Sequence, residues 1–240
     1  MMQTGGRGLS CHLPQGEIVR ALPQYRHLSW NAAGYAAFRA AVRPGMVALD
    51  IGANVGAYSM LLGQWVGPNG KVFAFEPAPE PFGGLVRHTS LNHLDGVVEP
   101  IPSAVGEALT TAALLVAATS GENRLASSSD GPAATIRVPV TTVDDFCREH
   151  RLDPDFIKID VEGAELAVLR GARETIRRRR GHLALFAEMH PSMWPVFRVA
   201  KDDVLAELRM QNLEPVSLMD MTEAGDIWDV EGVCLRLQPR

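Results

Sequence analysis

The chain has 240 residues, of which 46% are hydrophobic and 21% charged; this composition belongs to ordinary globular domains and excludes disordered and fibrous classes. Lys and Arg total 23 against 28 Asp and Glu, a net charge of −5, so the expected partner is a small molecule, with no nucleic acid and no membrane surface. Three widely spaced cysteines, Cys11, Cys147 and Cys234, argue against a disulfide framework or thiolate zinc site and point to a reducing, cytoplasmic setting.

No apolar run reaches the roughly 18 to 20 residues of a spanning helix, and the first residues lack an export signal. No internal repeat is present, so the fold is read from the alternation of elements. Leu28 to Val42 is Ala-rich with apolar residues at helical spacing, and Arg43-Pro44-Gly45 ends it. Val47 to Ile51 reads as a strand, a Gly-rich turn follows, and Ala57 to Val66 reads as a helix. Lys71 to Phe75 is a second strand, Ala78 to His93 a helix and Val97 to Ile101 a third strand. Ala112 to Ala117 and Thr135 to Val140 are strand-like around the Ser-rich stretch Thr119 to Pro132, which predicts an inserted β-hairpin with a loop that orders on ligand binding. Alternation resumes with helix Val143 to Arg151, strand Phe156 to Asp160, helix Ala164 to Arg180, strand Leu183 to Met189 and helix Asp202 to Met210. Pro215 to Met219 and Val233 to Leu237 have no helix between them and are expected to pair antiparallel. The whole reads as a doubly wound α/β domain.

Chemistry-bearing residues gather at strand ends. Asp50-Ile51-Gly52-Ala53-Asn54-Val55-Gly56 is a G-x-N-x-G loop whose glycines permit close approach of backbone to a ligand. The next strand ends in Phe75-Glu76-Pro77, where an acid can accept both hydroxyls of a ribose. A dinucleotide would call for G-x-G-x-x-G; with Asn54 at the second Gly and Asp50 before it, the loop suits a cationic ligand without phosphate, such as S-adenosylmethionine.

These segments, with Phe156-Ile157-Lys158-Ile159-Asp160-Val161-Glu162-Gly163-Ala164-Glu165 and Val168-Leu169-Arg170-Gly171-Ala172, resemble the FkbM family of S-adenosylmethionine-dependent methyltransferases from about Val47 to His190. The resemblance implies a class I, Rossmann-like sheet of seven mostly parallel strands, the last antiparallel. It implies a methyltransferase domain at residues 46–240 preceded by a helical segment or lid at residues 1–45. It places the methionine end of the cofactor against Asp50, Gly52, Asn54 and Gly56, with Tyr58 and Ser59 opening the next helix. Glu76 with Pro77 would hold the ribose, Ser103 and Ala104 the adenine, and Asp160 would border the reacting methyl. The acceptor implied is a hydroxyl of a sugar or secondary metabolite.

Asp160 and His190 are the candidate catalytic residues, either of which could take the hydroxyl proton. If a divalent cation such as Mg²⁺ is used instead, Asp160 and Glu188 would hold it. Glu162 and Glu165 are read as favourable to the dipole of the following helix, Trp30, Trp65, Trp194 and Trp228 as core or lid aromatics, with a wall of the acceptor pocket as the alternative for Trp194, and Arg170, Arg173 and Arg177 to Arg180 as a solvated helix face. Two alternatives share the sheet, namely a nicotinamide-dependent oxidoreductase and a non-catalytic nucleoside-binding module. Self-association is left open.

Overall fold

The computed structural model describes residues 8–115, 123–126, 135–218 and 226–240. An element absent from the sequence reading comes first: β1 (Leu9–His12) and β2 (Ile18–Ala21) form an antiparallel hairpin, so the N-terminal segment is not helical throughout. Helix α1 (Ala32–Ala41) begins later than its periodicity suggests, because the Asn31 side chain caps it by accepting from the N–H groups of Ala33 and Gly34.

Strand, turn and helix then alternate as expected, through β3 (Val47–Ile51), α2 (Ala57–Val66), β4 (Lys71–Phe75), α3 (Pro79–Leu91) and β5 (Val98–Ile101). The insertion is larger than a hairpin. β6 (Ala104–Val105), β7 (Thr110–Leu115), β8 (Arg124–Leu125) and β9 (Thr135–Thr141) form a separate sheet in the order β6-β9-β7-β8, with β7 and β9 antiparallel. Residues 116 and 117 of the expected strand, and most of the Ser-rich stretch, lie outside the described residues.

The chain continues through α4 (Val143–His150), β10 (Phe156–Ile159), α5 (Glu165–Arg170), α6 (Arg173–Arg178), β11 (Ala184–Met189), α7 (Lys201–Met210), β12 (Leu213–Ser217) and β13 (Val233–Pro239). The single helix expected over Ala164 to Arg180 is two. Asp144 caps α6 by accepting from the N–H groups of Glu174 and Thr175, while its own N–H donates to the Gly171 carbonyl. A Cβ on Gly171 would lie 2.0 Å from the Gly106 carbonyl oxygen.

The main sheet has the order β12-β13-β11-β10-β3-β4-β5; β13 runs antiparallel to both neighbours, and the four pairings that join β11, β10, β3, β4 and β5 are parallel. Strand period divides the core in two. Leu49, Ile51, Ile157 and Ile159 face α4, α5 and α7, whereas Ala48, Phe156 and Phe186 face α1 and α2 through Phe38, Met60 and Leu62. Val19, Tyr35 and Phe38 of the N-terminal segment are part of that second core. All three cysteines are free thiols. Among the described residues no helix is long and apolar enough to cross a membrane.

Candidate active site

Parallel register decides which charged groups meet. Asp50 of β3 lies opposite Lys158 of β10, which lies opposite Phe186 of β11. Two residues on, the period of 2 returns Gly52, Asp160 and Glu188 to the same side of the sheet. Every candidate therefore collects at the C-terminal edge, above the α1 and α2 face.

The loop after β3 is built on left-handed backbone at Gly52 (φ 79°), Asn54 (φ 49°) and Gly56 (φ 90°). The glycines are required by the protein's own packing: a Cβ on Gly52 would lie 1.7 Å from the Asp160 carbonyl oxygen, and one on Gly56 would lie 2.7 Å from Leu85 Cδ1. Asp50 is wholly buried; its Oδ2 accepts from Ser59 Oγ at 2.6 Å and its Oδ1 lies 3.5 Å from Lys158 Nζ. Ser59 thus positions Asp50 and does not line the cleft, and Gly56 is likewise behind the wall. Among the described residues two buried acceptor atoms here, Asp50 Oδ1 and Asn54 Oδ1, have no hydrogen bond.

Glu76, just past β4, is buried and accepts from Asn54 N–H at Oε2 and from Ala78 N–H at Oε1, both at 2.8 Å. Burial pushes its carboxyl up to about 7, against the pull of those two N–H groups. Pro77, Ser103 and Ala104 wall the same pocket. The Ser103 hydroxyl directs its one hydrogen between the carbonyls of Ala104 and Pro139, at 2.9 and 3.1 Å, so it ties the inserted sheet in place and can meet a ligand only as an acceptor.

At the end of β10, sequence reading missed the role of Lys158. Its side chain is 5% exposed, with Nζ 3.1 Å from Asp160 Oδ2 and 5.5 Å from the Tyr58 ring centre. Burial opposes its charge, but Asp160 and Asp50 prevail and its proton affinity is raised. The available signal was a lone cation inside the apolar strand FIKID, since an isolated buried charge is the informative exception. Glu188 is half-buried, and burial with the nearby Asp160 charge pushes its carboxyl up to about 7.

Glu165 corrects another expectation. Instead of merely facing the helix dipole it is fully buried, accepting from Gly163 N–H, His190 Nδ1 and Trp194 Nε1 at 2.8, 2.9 and 2.9 Å. Trp194 is buried in this role and does not line the cleft. Burial alone would depress the His190 proton affinity; the Glu165 hydrogen bond, with the charges of Glu165, Glu162 and Asp160, raises it to about 9. The expected cation pair, Asp160 and Glu188, lines one hollow. Among the described residues it is Asp160, Glu162 and His190 whose ligand atoms all lie within 4.8 Å of one another.

Gly52, Asn54 and Asp160 are common to two adjoining hollows, one running under Glu76 and Ala104, the other, of about 480 Å³, under Trp30, Tyr58 and Glu188. Their shared wall brings together the residues that could hold S-adenosylmethionine. Asn54 Oδ1, and Asp50 Oδ1, which has only the Lys158 ion pair, could accept from an ammonium, and Glu76 retains lone pairs for a ribose.

Residues 50–214 match the family model of the methyltransferase FkbM domain. Methyltransferase sdnD of Sordaria araneosa is 28% identical over 156 residues, covering 52% of this chain and 60% of that protein. The 2-O-methyltransferase NoeI of Sinorhizobium fredii is 30% identical over 154 residues, covering 58% and 62% respectively. The matched stretches thus span about three fifths of these two relatives. Among solved structures, methyltransferase FkbM of Methylobacillus flagellatus superposes with a TM-score of 0.50 at 18% identity, over 83% of this chain and 49% of that one. A putative rRNA methylase of Clostridium thermocellum gives a TM-score of 0.52 at 13% identity, over 88% and 98%. These two share the fold.

Proposed function

Because the chain belongs to the FkbM methyltransferase family, we propose that it binds S-adenosylmethionine in the cleft above β3, β4 and β10 and methylates a hydroxyl of a small molecule, a sugar or a secondary metabolite. The observation that carries this reading is the convergence of Asp50, Glu76 and Asp160 from three adjacent strands on two adjoining hollows, beside an Asn54 Oδ1 that accepts no hydrogen bond among the described residues. The name of the relative NoeI, a 2-O-methyltransferase, supports oxygen as the acceptor atom.

S-adenosylmethionine supplies an electrophilic methyl carried on a sulfonium. Asp50 and Asn54 hold the ammonium end, Glu76 the ribose, and the Pro77, Ser103 and Ala104 wall the adenine. Asp160 faces the acceptor oxygen as the base that takes the hydroxyl proton, and Glu188 lines the same hollow with its own carboxyl pushed up to about 7. Lys158 fixes Asp160 through Oδ2 and balances the charge of both Asp50 and Asp160. His190, bound through Nδ1 to Glu165 and holding its proton to about 9, suits anchoring and electrostatic roles better than that of a base. The wall at Ser29, Trp30 and Asn31 gives the N-terminal segment a part in shaping the acceptor side.

The test is formation of S-adenosylhomocysteine with a panel of hydroxyl acceptors, for the wild type and for Asp160→Asn. Turnover on a hydroxyl is expected, falling by about 10²-fold or more in the variant, with S-adenosylhomocysteine affinity kept within a few-fold. Turnover on amines but on no hydroxyl would overturn the acceptor class, and a variant with most of the wild-type rate would remove Asp160 from the chemistry.

A further inference from the structure

We infer that Asp160, Glu162 and His190 form a binding site for a divalent transition-metal ion. Their ligand atoms lie within 4.8 Å of one another at the ends of β10 and β11. His190 Nε2 is 3.7 Å from Glu162 Oε2 and 4.0 Å from Asp160 Oδ1. Those gaps are too long for hydrogen bonds. They are close to the spacing of about 3.0 to 3.4 Å between neighbouring ligands around an ion with bonds near 2.1 Å.

A second observation is the support that residues outside the trio give its histidine. The His190 side chain is only 8% exposed, and its Nε2 points into the cluster, facing Asp160 and Glu162 as an ion pair without a hydrogen bond among the described residues, so an ion bound there would displace its proton. Its other nitrogen is fixed by Glu165, itself held by Gly163 N–H and Trp194 Nε1. A buried carboxylate on one imidazole nitrogen, leaving the other aimed at two carboxylates, is the outer-sphere arrangement that orients a metal-bound histidine.

The Asp160 carboxylate divides its duties, with Oδ2 on Lys158 and Oδ1 toward His190. Asp160 and Glu162 are partly exposed along the cleft wall, which leaves an entry path and room for water ligands. One imidazole and two carboxylates favour a first-row transition ion over Mg²⁺, which prefers an all-oxygen shell. An ion here would sit beside the acceptor side of the cleft, where it can polarise a hydroxyl or a neighbouring oxygen of the acceptor. The location rests on the proposed methyl-transfer site, but the binding itself does not.

The experiment is titration of the metal-free protein with MnCl₂, without cofactor or acceptor, reading free Mn²⁺ by electron paramagnetic resonance and heat by calorimetry. One saturating Mn²⁺ per chain is expected. Affinity should fall at least tenfold in Glu162→Gln and in His190→Ala, about 10- to 100-fold in Glu165→Gln, and stay within a few-fold in Glu188→Gln. Absence of saturable binding would overturn the site, as would Mn²⁺ affinity that is unchanged in both Glu162→Gln and His190→Ala. Mg²⁺ binding as tightly as Mn²⁺, and equally in His190→Ala, would overturn the role of the imidazole. S-adenosylhomocysteine titration of the same metal-free protein reads the cofactor site separately, so failure of one proposal is distinguishable from failure of the other.

Discussion

At the C-terminal ends of the parallel strands, Lys158 and Asp50 form an ion pair with side chains 5% and 1% exposed; before the N-terminal end of β10, Asp153 meets Arg178 with the two 60% and 41% exposed. Both edges are rich in charge. At the first edge the groups are withdrawn from water, so each depends on the others and several have displaced proton affinities. At the second, Arg177, Arg178 and Arg179 pair with Glu174, Asp153 and Asp155 in reach of solvent, as expected for a solvated helix face. Burial, rather than the number of charged residues, separates a site from a surface.

The largest test of that contrast is Lys158→Met. Removing the cation leaves Asp50 and Asp160 without their shared partner, which should lower stability by about 3–5 kcal/mol in chemical denaturation; adding Asp50→Asn should recover part of the loss. A loss below about 1 kcal/mol, the usual size for an exposed pair, would erase the distinction. Gly52→Ala comes next, at about 2–4 kcal/mol, because it combines left-handed backbone with a clash against the Asp160 carbonyl. If that variant keeps full stability and loses only cofactor binding, the glycine serves the ligand and the packing account is wrong.

Titration sharpens the contrast further. Cofactor hydroxyls donate to the ionised form of Glu76, whose carboxyl burial holds near about 7, so S-adenosylhomocysteine affinity should fall as pH drops through that value. Between pH 8 and pH 6 the ionised fraction, and with it the apparent affinity, declines about tenfold. Glu76→Gln should flatten that dependence, as measured by calorimetry at several pH values. At the other edge Arg177→Ala should change stability by less than about 0.5 kcal/mol, and a larger change would show that the exposed pairs are coupled.

Much of this was legible in the chain because β3, β4 and β10 are short apolar runs closed by glycine, acid or proline, a pattern that marks buried parallel strands. The N-terminal hairpin was not: β1 is mostly exposed, and β2 alternates over only four residues. Asp50, Glu76 and Asp160 could be placed from strand-end position alone. Lys158 and Glu165 could not, since their roles depend on partners 108 and 25 residues away that only the register and the β11 loop supply. The break between α5 and α6 has the same origin, a cap provided by Asp144 some thirty residues earlier.

The most direct test of the central claim, that the buried carboxylates at the C-terminal edge form a cofactor site, is calorimetric titration of the wild type and Glu76→Ala with S-adenosylhomocysteine. The account predicts one molecule bound per chain, with the variant weakened by about 1–3 kcal/mol through loss of charge-assisted hydrogen bonds to the ribose. No binding to the wild type, or equal affinity in a folded Glu76→Ala protein, would contradict it.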